Sequence, residues 1–330
     1  MEVIRRGGRF LVTSHVSPEG DALGSLFGLT AALREGGFHV TAYLEDPVPE
    51  VYRFLPGADG VVHELSGLGP FDATFAVDCG AKERIGELFC AFDGAGTLVN
   101  LDHHAGNDRF GDINVVVPGA SSAGEVVYDL IRAASLPLSR DTAVNLYVAI
   151  LTDTGSFRYS SSTPEAFGKA GELVALGASP WDVSVRVYES QPLKKYKLLA
   201  RALDTLELVD EPPFSSRVAS LYVTLDALAE LGADAELTDG FVNYARGLAG
   251  VEVGVFFREA RPGLFKISMR SKGAVDVSAV AGRFGGGGHR NAAGCFIDGD
   301  VEGVRKRLFG ALAAAFEEPA YAGRERRGGR

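Results

Sequence analysis

Residues 9–35 read RFLVTSHVSPEGDALGSLFGLTAALRE, which is a short apolar run, a turn with Pro and Gly, and a second apolar stretch. The run at 9–14 ends at a polar turn, which is typical of a buried strand. Residues 22–35 repeat Leu, Phe and Ala at helical spacing and predict an amphipathic helix. A strand that leads directly into a helix is the first half of a βαβ unit and indicates a parallel sheet.

The same alternation continues through the first half of the chain. Strands are predicted at 39–44, 73–78, 97–101 and 112–117, and helices at 122–134, 140–151, 164–176 and 181–209. Strands that alternate with helices predict an α/β fold, in which helices flank a mostly parallel sheet. In such sheets the ligand binds beyond the carboxyl ends of the strands.

A second, smaller domain is predicted after the Glu-Pro-Pro of residues 211–213. Strands at 217–223, 252–257, 264–269 and 294–297, with helices at 277–284 and 301–316, predict an α+β domain. The predicted organisation is an N-terminal domain over 1–187, a helical linker over 188–210, a C-terminal domain over 211–318 and a tail over 319–330. The tail, PAYAGRERRGGR, has no apolar period and is predicted to be disordered.

The composition is ordinary for a globular protein, and the net charge argues against binding to long nucleic acid. The net charge is -10, which disfavours a protein that grips a long duplex through many phosphates. A short phosphorylated ligand remains compatible, because bound metal ions can supply positive charge locally. The N-terminal apolar run is too short for a signal peptide or a membrane span, which predicts a cytoplasmic protein without membrane contact. The three cysteines form no C-x-x-C pair and predict neither a disulfide framework nor a thiolate zinc site.

Three predicted strands each end in a side chain that can ligate a metal. His15 follows the strand at 9–14, Asp78 ends the strand at 73–78, and Asp102-His103-His104 follows the strand at 97–101. Since the carboxyl ends of parallel strands meet at one edge of the sheet, these side chains are expected to converge.

The turn after the first strand holds an imidazole and two carboxylates. His15, Glu19 and Asp21 lie within seven residues on this Pro/Gly turn. Mixed nitrogen and oxygen ligands suit Mn²⁺ or another first-row divalent ion. The alternative is a polar turn in which Asp21 caps the following helix.

Asp78 and the Asp-His-His triplet extend this predicted site. A lone Asp at a strand end is often a turn former, but Asp78 is also well placed to bridge two metals. Adjacent side chains in an extended segment point in opposite directions, so His103 and His104 cannot do the same job. One of them is expected to ligate metal and the other to face the substrate, with Asp102 orienting a histidine. Buried core histidines are the alternative, which two in a row behind an Asp disfavour.

Further segments of both domains add candidate residues. Asp153 closes an apolar helix, where the macrodipole disfavours an acid, and this favours a functional role. Ser122 is the predicted N-cap of a helix whose N-terminus can also hold phosphate. In the second domain, four consecutive glycines (285–288) would let backbone amides approach a phosphate closely. The alternative is a flexible glycine linker, which the His-Arg-Asn that follows disfavours. The candidate substrate contacts are Ser122, Arg270, Ser271, Gly286, Gly287, Gly288, His289 and Arg290.

The motifs HVSPEGDALGS, AVDCG, LDHH, LTDTGSF and GGGGHRNAAG, in this order, closely resemble the DHH phosphoesterase superfamily with a C-terminal DHHA1 domain. The resemblance runs from about residue 9 to 316 and is greatest to the nanoRNase/pAp phosphatase branch. It implies a catalytic DHH domain over 1–187 and a substrate-binding DHHA1 domain over 211–318.

The resemblance also implies a role for each candidate residue. Two Mn²⁺ ions per chain are expected, with Mg²⁺ or Co²⁺ as substitutes, one held by His15, Glu19 and Asp78 and the other by Asp21, Asp78, His103 and Asp153. His104 would face the substrate phosphate, and the DHHA1 residues would hold the nucleotide. The family usually has Asp where this chain has Glu19, whose carboxylate is one methylene farther from the backbone but is still a hard oxygen ligand.

The implied activity is hydrolysis of very short oligoribonucleotides to mononucleotides and of 3′-phosphoadenosine 5′-phosphate (pAp) to AMP. A homodimer is also a family expectation. Two alternatives stay open: a phosphodiesterase for cyclic dinucleotides or for linear pGpG and pApA, and a non-catalytic nucleotide sensor that retains the fold.

Overall fold

The computed structural model describes residues 2–317 and divides them into two compact units, with the division between Ser190 and Gln191. The predicted disordered tail at 319–330 lies outside the described residues. The two-domain α/β architecture predicted from the sequence is confirmed.

The first unit contains a six-stranded sheet in which every paired neighbour is parallel. Its strands are β1 (Arg9–Thr13), β2 (His39–Tyr43), β3 (Val61–Val62), β4 (Ala73–Val77), β5 (Thr97–Asp102) and β6 (Ile113–Val116). Their spatial order is β3-β2-β1-β4-β5-β6. The prediction missed only the two-residue β3, which is too short to show an apolar pattern.

The strand register brings the ends of the three central strands to one level. Thr13 of β1 pairs with Ala76 of β4, and Val77 of β4 pairs with Leu101 of β5. Continued by one or two residues, this register places His15, Asp78 and Asp102 side by side at the carboxyl edge of the sheet.

Helices cover the sheet of the first unit. They are α1 (Glu2–Arg6), α2 (Gly20–Glu35), α3 (Glu87–Cys90), α4 (Ala123–Ala134), α5 (Arg140–Asp153), α6 (Pro164–Ala175) and α7 (Pro180–Ser184). One sheet face, with Phe10 and Val12, packs in a buried cluster with Leu26 of α2 and Leu146 of α5. The other face packs in a smaller cluster that includes Phe89 of α3.

The second unit has a mixed six-stranded sheet. Its elements are α8 (Leu193–Leu203), β7 (Glu207–Val209), β8 (Val218–Val223), α9 (Leu225–Glu230), α10 (Val242–Gly247), β9 (Val253–Arg261), β10 (Leu264–Ser271), α11 (Val277–Gly282), β11 (Gly287–His289), β12 (Ala292–Asp298) and α12 (Val301–Glu317). The order is β11-β12-β10-β9-β8-β7, with β8 and β9 parallel and the other pairs antiparallel. Helix α12 packs on one face through Leu308 and Leu312.

The single long helix predicted at 181–209 is wrong. After α7 the chain forms a π-helical turn over Val185–Glu189, leaves helical geometry at Ser190 and restarts as α8 behind Pro192. The residue before a proline is disfavoured in α conformation, which explains the break. Helix α8 belongs to the second unit, where Leu198 and Ala202 are buried with Leu221.

Helices α2 and α5 pack so closely that a side chain on Gly24 has no room. A Cβ built there would lie 2.4 Å from the backbone oxygen of Asn145 and 2.8 Å from the backbone nitrogen of Ala149. The contact matters for the site, because α2 carries Asp21 and α5 ends at Asp153.

We expect Gly24→Ala to lower the free energy of unfolding by about 1–3 kcal/mol, since the added methyl group must push two backbones apart. The matched control is Gly168→Ala in α6, where a Cβ meets no atom within 4 Å. That change should stabilise the protein by roughly 0.5–1 kcal/mol, because alanine loses less conformational entropy in a helix. Urea denaturation of both variants measures the difference, and equal midpoints would contradict the close packing.

Candidate metal centre

The first group of ligand atoms joins the turn after β1 to the end of β4. His15 Nε2 lies 3.4 Å from Asp78 Oδ2 and 3.6 Å from Glu19 Oε1. The His15 Nδ1–H donates to the carbonyl oxygen of Val16 at 2.9 Å. That hydrogen bond selects the tautomer of the neutral ring in which Nε2 carries the lone pair, as a metal ligand requires.

The second group lies on the other side of Asp78. His103 Nε2 is 3.5 Å from Asp21 Oδ2, 3.5 Å from Asp78 Oδ1 and 3.7 Å from Asp153 Oδ2. Its Nδ1 lies 3.3 Å from the carbonyl oxygen of Ala120, which again directs Nε2 toward the carboxylates. Asp78 is thus common to both groups, with one oxygen directed to each.

Asp78 has an unusual backbone and an incompletely paired side chain. Its φ of 56° lies in the left-handed region, which non-glycine residues adopt rarely and mostly at special sites. Among the described residues, none donates a hydrogen bond to its buried Oδ1. The nearest imidazole nitrogens, of His103 and His104, are at 3.5 and 3.6 Å. A buried anionic oxygen in this state fits a cation.

The electrostatics of the site also fit a cation. Burial raises the pKa of Asp153 to about 7, and repulsion from the carboxylates of Glu19 and Asp78 contributes to the increase. Attraction to His103 opposes it but is outweighed. Burial alone would lower the pKa of His15, but Asp78 and Glu19 raise it to about 10. Contacts with the two imidazoles outweigh burial and hold the pKa of Asp78 well below its usual range. Clustered carboxylates therefore draw protons into the site, and a bound divalent ion would replace them.

Glu19 and Asp21 are held by helix N-termini in a way that the sequence did not predict. Glu19, and not Asp21, is the N-cap of α2, and its side chain accepts hydrogen bonds from the backbone nitrogens of Asp21 and Ala22. Asp21 instead accepts hydrogen bonds from the backbone nitrogens of Ala123 and Gly124 in α4, at 2.7 and 2.9 Å. The N-terminus of α4 stabilises negative charge and so fixes the Asp21 carboxylate beside His103.

Asp102 is buried with zero exposure and contacts His104. The His104 Nδ1 lies 2.7 Å from Asp102 Oδ1, which matches the orienting role expected of this aspartate. Asn107 Nδ2 donates to Asp102 Oδ2 at 2.5 Å. Asn107 was not among the predicted site residues, although its position three residues after His104, in a Gly-Asn-Asp turn, was a usable signal.

The predicted substrate contacts have structural surroundings of their own. Ser122 is fully buried and caps α4 by accepting a hydrogen bond from the backbone nitrogen of Glu125. Arg290 contacts Asp276 at 3.4 Å and donates to the carbonyl oxygen of Ala274 at 3.1 Å. Ser271 is buried and accepts a hydrogen bond from Asn291. Their roles in substrate binding stay predictions.

The glycine run is part of a hairpin and not an open loop. Gly287–His289 forms β11, which pairs with β12. A Cβ on Gly286 would lie 2.2 Å from the carbonyl oxygen of Gly294, and one on Gly288, whose φ is 138°, would lie 2.4 Å from that of Ala292. These two glycines are therefore required by the close approach of β12. Arg270 lies near the end of β10, where its Nη1 donates to the carbonyl oxygen of Met269.

This fold and its site define a two-domain protein of the DHH class. A model of the DHH family N-terminal domain matches residues 9–150, and a model of the DHHA1 domain matches residues 216–318. The bifunctional oligoribonuclease and PAP phosphatase NrnA of Thermus thermophilus is 32% identical over 315 residues, which are 95% of this chain and 92% of that protein. The protein of the same name from Bacillus subtilis is 28% identical and covers 86% of this chain and 87% of its own length.

A solved structure agrees with these matches. An exopolyphosphatase-related protein from Bacteroides fragilis superposes with a TM-score of 0.85 at 26% identity, over 95% of this chain and 94% of the other. The chain belongs to the DHH family with a C-terminal DHHA1 domain, and relatives named NrnA match it over most of their length. Within residues 2–317, no helix is long and apolar enough to cross a membrane.

We expect MnCl₂ to raise the unfolding temperature of the protein, because a cation bound by the folded carboxylate cluster stabilises the native state. When the free Mn²⁺ concentration is 100 times the dissociation constant, the free energy of unfolding should rise by about 2.7 kcal/mol. Asparagine has nearly the shape of aspartate and also tolerates the left-handed backbone, so Asp78→Asn removes mainly the negative charge that both ligand groups share. This variant should abolish the metal-dependent increase in unfolding temperature. Differential scanning fluorimetry with and without the metal measures this.

The control for that measurement is His39→Gln, an exposed histidine at the start of β2. Its metal-dependent shift should equal that of the unchanged protein. A shift of the same size in Asp78→Asn would mean that the cation binds elsewhere.

Proposed function

We propose that the protein is a metal-dependent phosphoesterase that hydrolyses short oligoribonucleotides to mononucleotides and removes the 3′-phosphate of pAp to give AMP. The observation that carries the proposal is the pair of ligand groups that share Asp78 at the carboxyl ends of β1, β4 and β5. The NrnA relatives, whose name states both activities, match along most of the chain.

The proposed cofactor is a pair of Mn²⁺ ions, for which Mg²⁺ or Co²⁺ would substitute. Imidazole nitrogens and carboxylate oxygens without a thiolate are the donors that first-row divalent ions accept at such sites. The neighbouring Cys79 is not a competing ligand, because its thiol donates to the carbonyl oxygen of Val77 at 3.3 Å. When bound, the metal pair supplies an activated water and neutralises charge on the phosphoryl oxygens. The proposed ligands are His15, Glu19 and Asp78 for one ion, and Asp21, Asp78, His103 and Asp153 for the other.

His104 is the proposed proton donor to the leaving oxygen. Its Nδ1 is engaged by Asp102, so the opposite ring nitrogen, Nε2, is the one that can serve the substrate. Burial would lower the pKa of His104, but the hydrogen bond to Asp102 and the charge of Asp78 raise it above its usual range, which favours the protonated ring. A protonated imidazole beside an anionic leaving group acts as a general acid.

The substrate range follows from charge and from the second unit. A net charge of -10 opposes the binding of a long polyanion and agrees with substrates of only a few phosphates. We propose that Ser122, Arg270, Ser271, the backbone of Gly286 to Gly288, His289 and Arg290 contribute contacts to the nucleotide.

Purified protein with Mn²⁺ is expected to release inorganic phosphate from pAp and mononucleotides from RNA of two to five residues. Asp78→Ala should reduce both rates to that of the metal-free protein, since both ligand groups lose their common carboxylate. His39→Gln should retain the activity. Phosphate assay and chromatography of the products measure the two reactions.

The same panel separates the alternatives. Cyclic di-AMP, pGpG and pApA are assayed beside pAp and the short RNAs. Faster hydrolysis of the cyclic dinucleotide would favour the phosphodiesterase alternative. Tight binding of these nucleotides without turnover under Mn²⁺, Mg²⁺ or Co²⁺ would favour the non-catalytic sensor.

His104→Gln is expected to lower kcat by about 10²–10⁴-fold, which is the usual contribution of a general acid. Metal binding should persist, because His104 is not one of the proposed ligands. Steady-state kinetics on pAp, together with the Mn²⁺-dependent unfolding shift, separates these two properties. An unchanged kcat would remove His104 from the proposed mechanism.

A further inference from the structure

Asn107 lies in the loop that follows β5, and its side-chain amide has an assigned orientation. Its Oδ1 accepts a hydrogen bond from the backbone nitrogen of Arg109 at 2.6 Å. Its own backbone nitrogen donates to the carbonyl oxygen of His104 at 3.2 Å. Because the N–H of Arg109 can only donate, the amide oxygen of Asn107 faces Arg109 and the Nδ2 group faces the site.

The Nδ2 group of Asn107 ties the loop to the ends of β4 and β5. It lies 2.5 Å from Asp102 Oδ2, 2.8 Å from Asn100 Oδ1 and 3.0 Å from the carbonyl oxygen of Cys79. Asn100 donates through its own Nδ2 to the carbonyl oxygens of Ala76 and Cys79, so its Oδ1 is an acceptor that faces Asn107. The two amides are therefore mutually consistent.

Asn107 completes the hydrogen bonding of a buried carboxylate. Asp102 Oδ1 accepts from the backbone nitrogen of His103 at 2.8 Å and contacts His104 Nδ1 at 2.7 Å. Asp102 Oδ2 accepts from Asn107. A buried carboxylate that loses a donor is left with a desolvated lone pair, which is costly enough to drive a change of side-chain conformation.

Two carboxylates compete for the same imidazole nitrogen. His104 Nδ1 is 2.7 Å from Asp102 Oδ1 and 3.6 Å from Asp78 Oδ1. The latter oxygen receives no hydrogen bond from the described residues. A small rotation of the ring, or a shift of Asp102, would therefore transfer the Nδ1–H to Asp78.

We propose that Asn107 is a positioning residue that holds Asp102 so that His104 donates to Asp102 and not to Asp78. Two things follow for the site. Nε2 of His104 stays directed to the substrate side of the ring, and Oδ1 of Asp78 stays available for a cation. The catalytic consequence rests on the proposed function, whereas the choice of hydrogen-bond partner by His104 does not.

Two variants test the donor role. Asn107→Asp keeps an oxygen for the backbone nitrogen of Arg109 but replaces the donor by a carboxylate that repels Asp102. Asn107→Ala removes both interactions. The matched control is Asn114→Ala in β6, where the native side chain donates to the carbonyl oxygen of Gly111 at 2.6 Å and accepts from its backbone nitrogen at 3.0 Å.

The first readout is the Nδ1 proton of His104 in the ¹⁵N-histidine NMR spectrum of the full chain with Mg²⁺. The resonance is assigned by its loss in His104→Gln. It should shift or disappear in both Asn107 variants and stay unchanged in Asn114→Ala. The second readout is kinetic: kcat on pAp should fall about 10–100-fold, as is usual for partners of site residues, with KM within about twofold.

An unchanged His104 resonance in the Asn107 variants would overturn the proposal, whatever happens to the rate. A kcat loss no larger than that of Asn114→Ala would overturn it as well. If Asn107→Ala does not fold, the nearly isosteric Asn107→Asp decides. If the unchanged protein hydrolyses none of the nucleotides, the proposed function fails, and the resonance still decides the role of Asn107.

Discussion

The carboxylate of Asp78 is the interaction on which the rest of the site depends. It lies between His15 and His103, and each of its oxygens faces a different ligand group. This requires a left-handed turn directly after β4 and a register that makes the ends of β1, β4 and β5 level. The parallel sheet supplies that register through backbone hydrogen bonds, so strand pairing sets the relative positions of His15, Asp78 and Asp102.

A second constraint is the placement of Asp21. Its carboxylate accepts backbone hydrogen bonds from the start of α4. That helix start is itself held by Glu125, which accepts from the backbone nitrogen of Ser121 and pairs with Lys169 of α6. Buried negative charge is thus stabilised from outside the site, by a helix terminus and an ion pair, which lets several carboxylates coexist before any cation binds.

The sequence predicted what depends on local pattern. The strand ends that carry His15, Asp78 and Asp102 could be read from apolar runs and the polar residues after them, because the geometry of parallel sheets brings such ends together. It could not predict that Asp21 would accept hydrogen bonds from a helix 102 residues away. The turn after His104 marked Asn107 as a candidate but did not indicate that it would donate to Asp102. The contact of Asp21 joins segments far apart in the sequence, and the contact of Asn107 depends on the conformation of a turn. Pro192 is a sequence signal for the break between α7 and α8. The apolar residues on both sides of it repeat at helical spacing, and this pattern favoured one continuous helix.

The glycine run shows why a motif needs its structural context. Gly286 and Gly288 approach the backbone of β12 so closely that a side chain would collide, which is sufficient reason for glycine there. Gly287 meets no atom within 4 Å and is exposed, so packing does not require it to lack a side chain. Packing therefore accounts for glycine at 286 and 288, whereas at Gly287 only the proposed phosphate contact gives a reason for glycine. Arg290 contacts Asp276 beside the hairpin turn. The residues that define the family motif thus divide into those that build the hairpin and those that the hairpin presents.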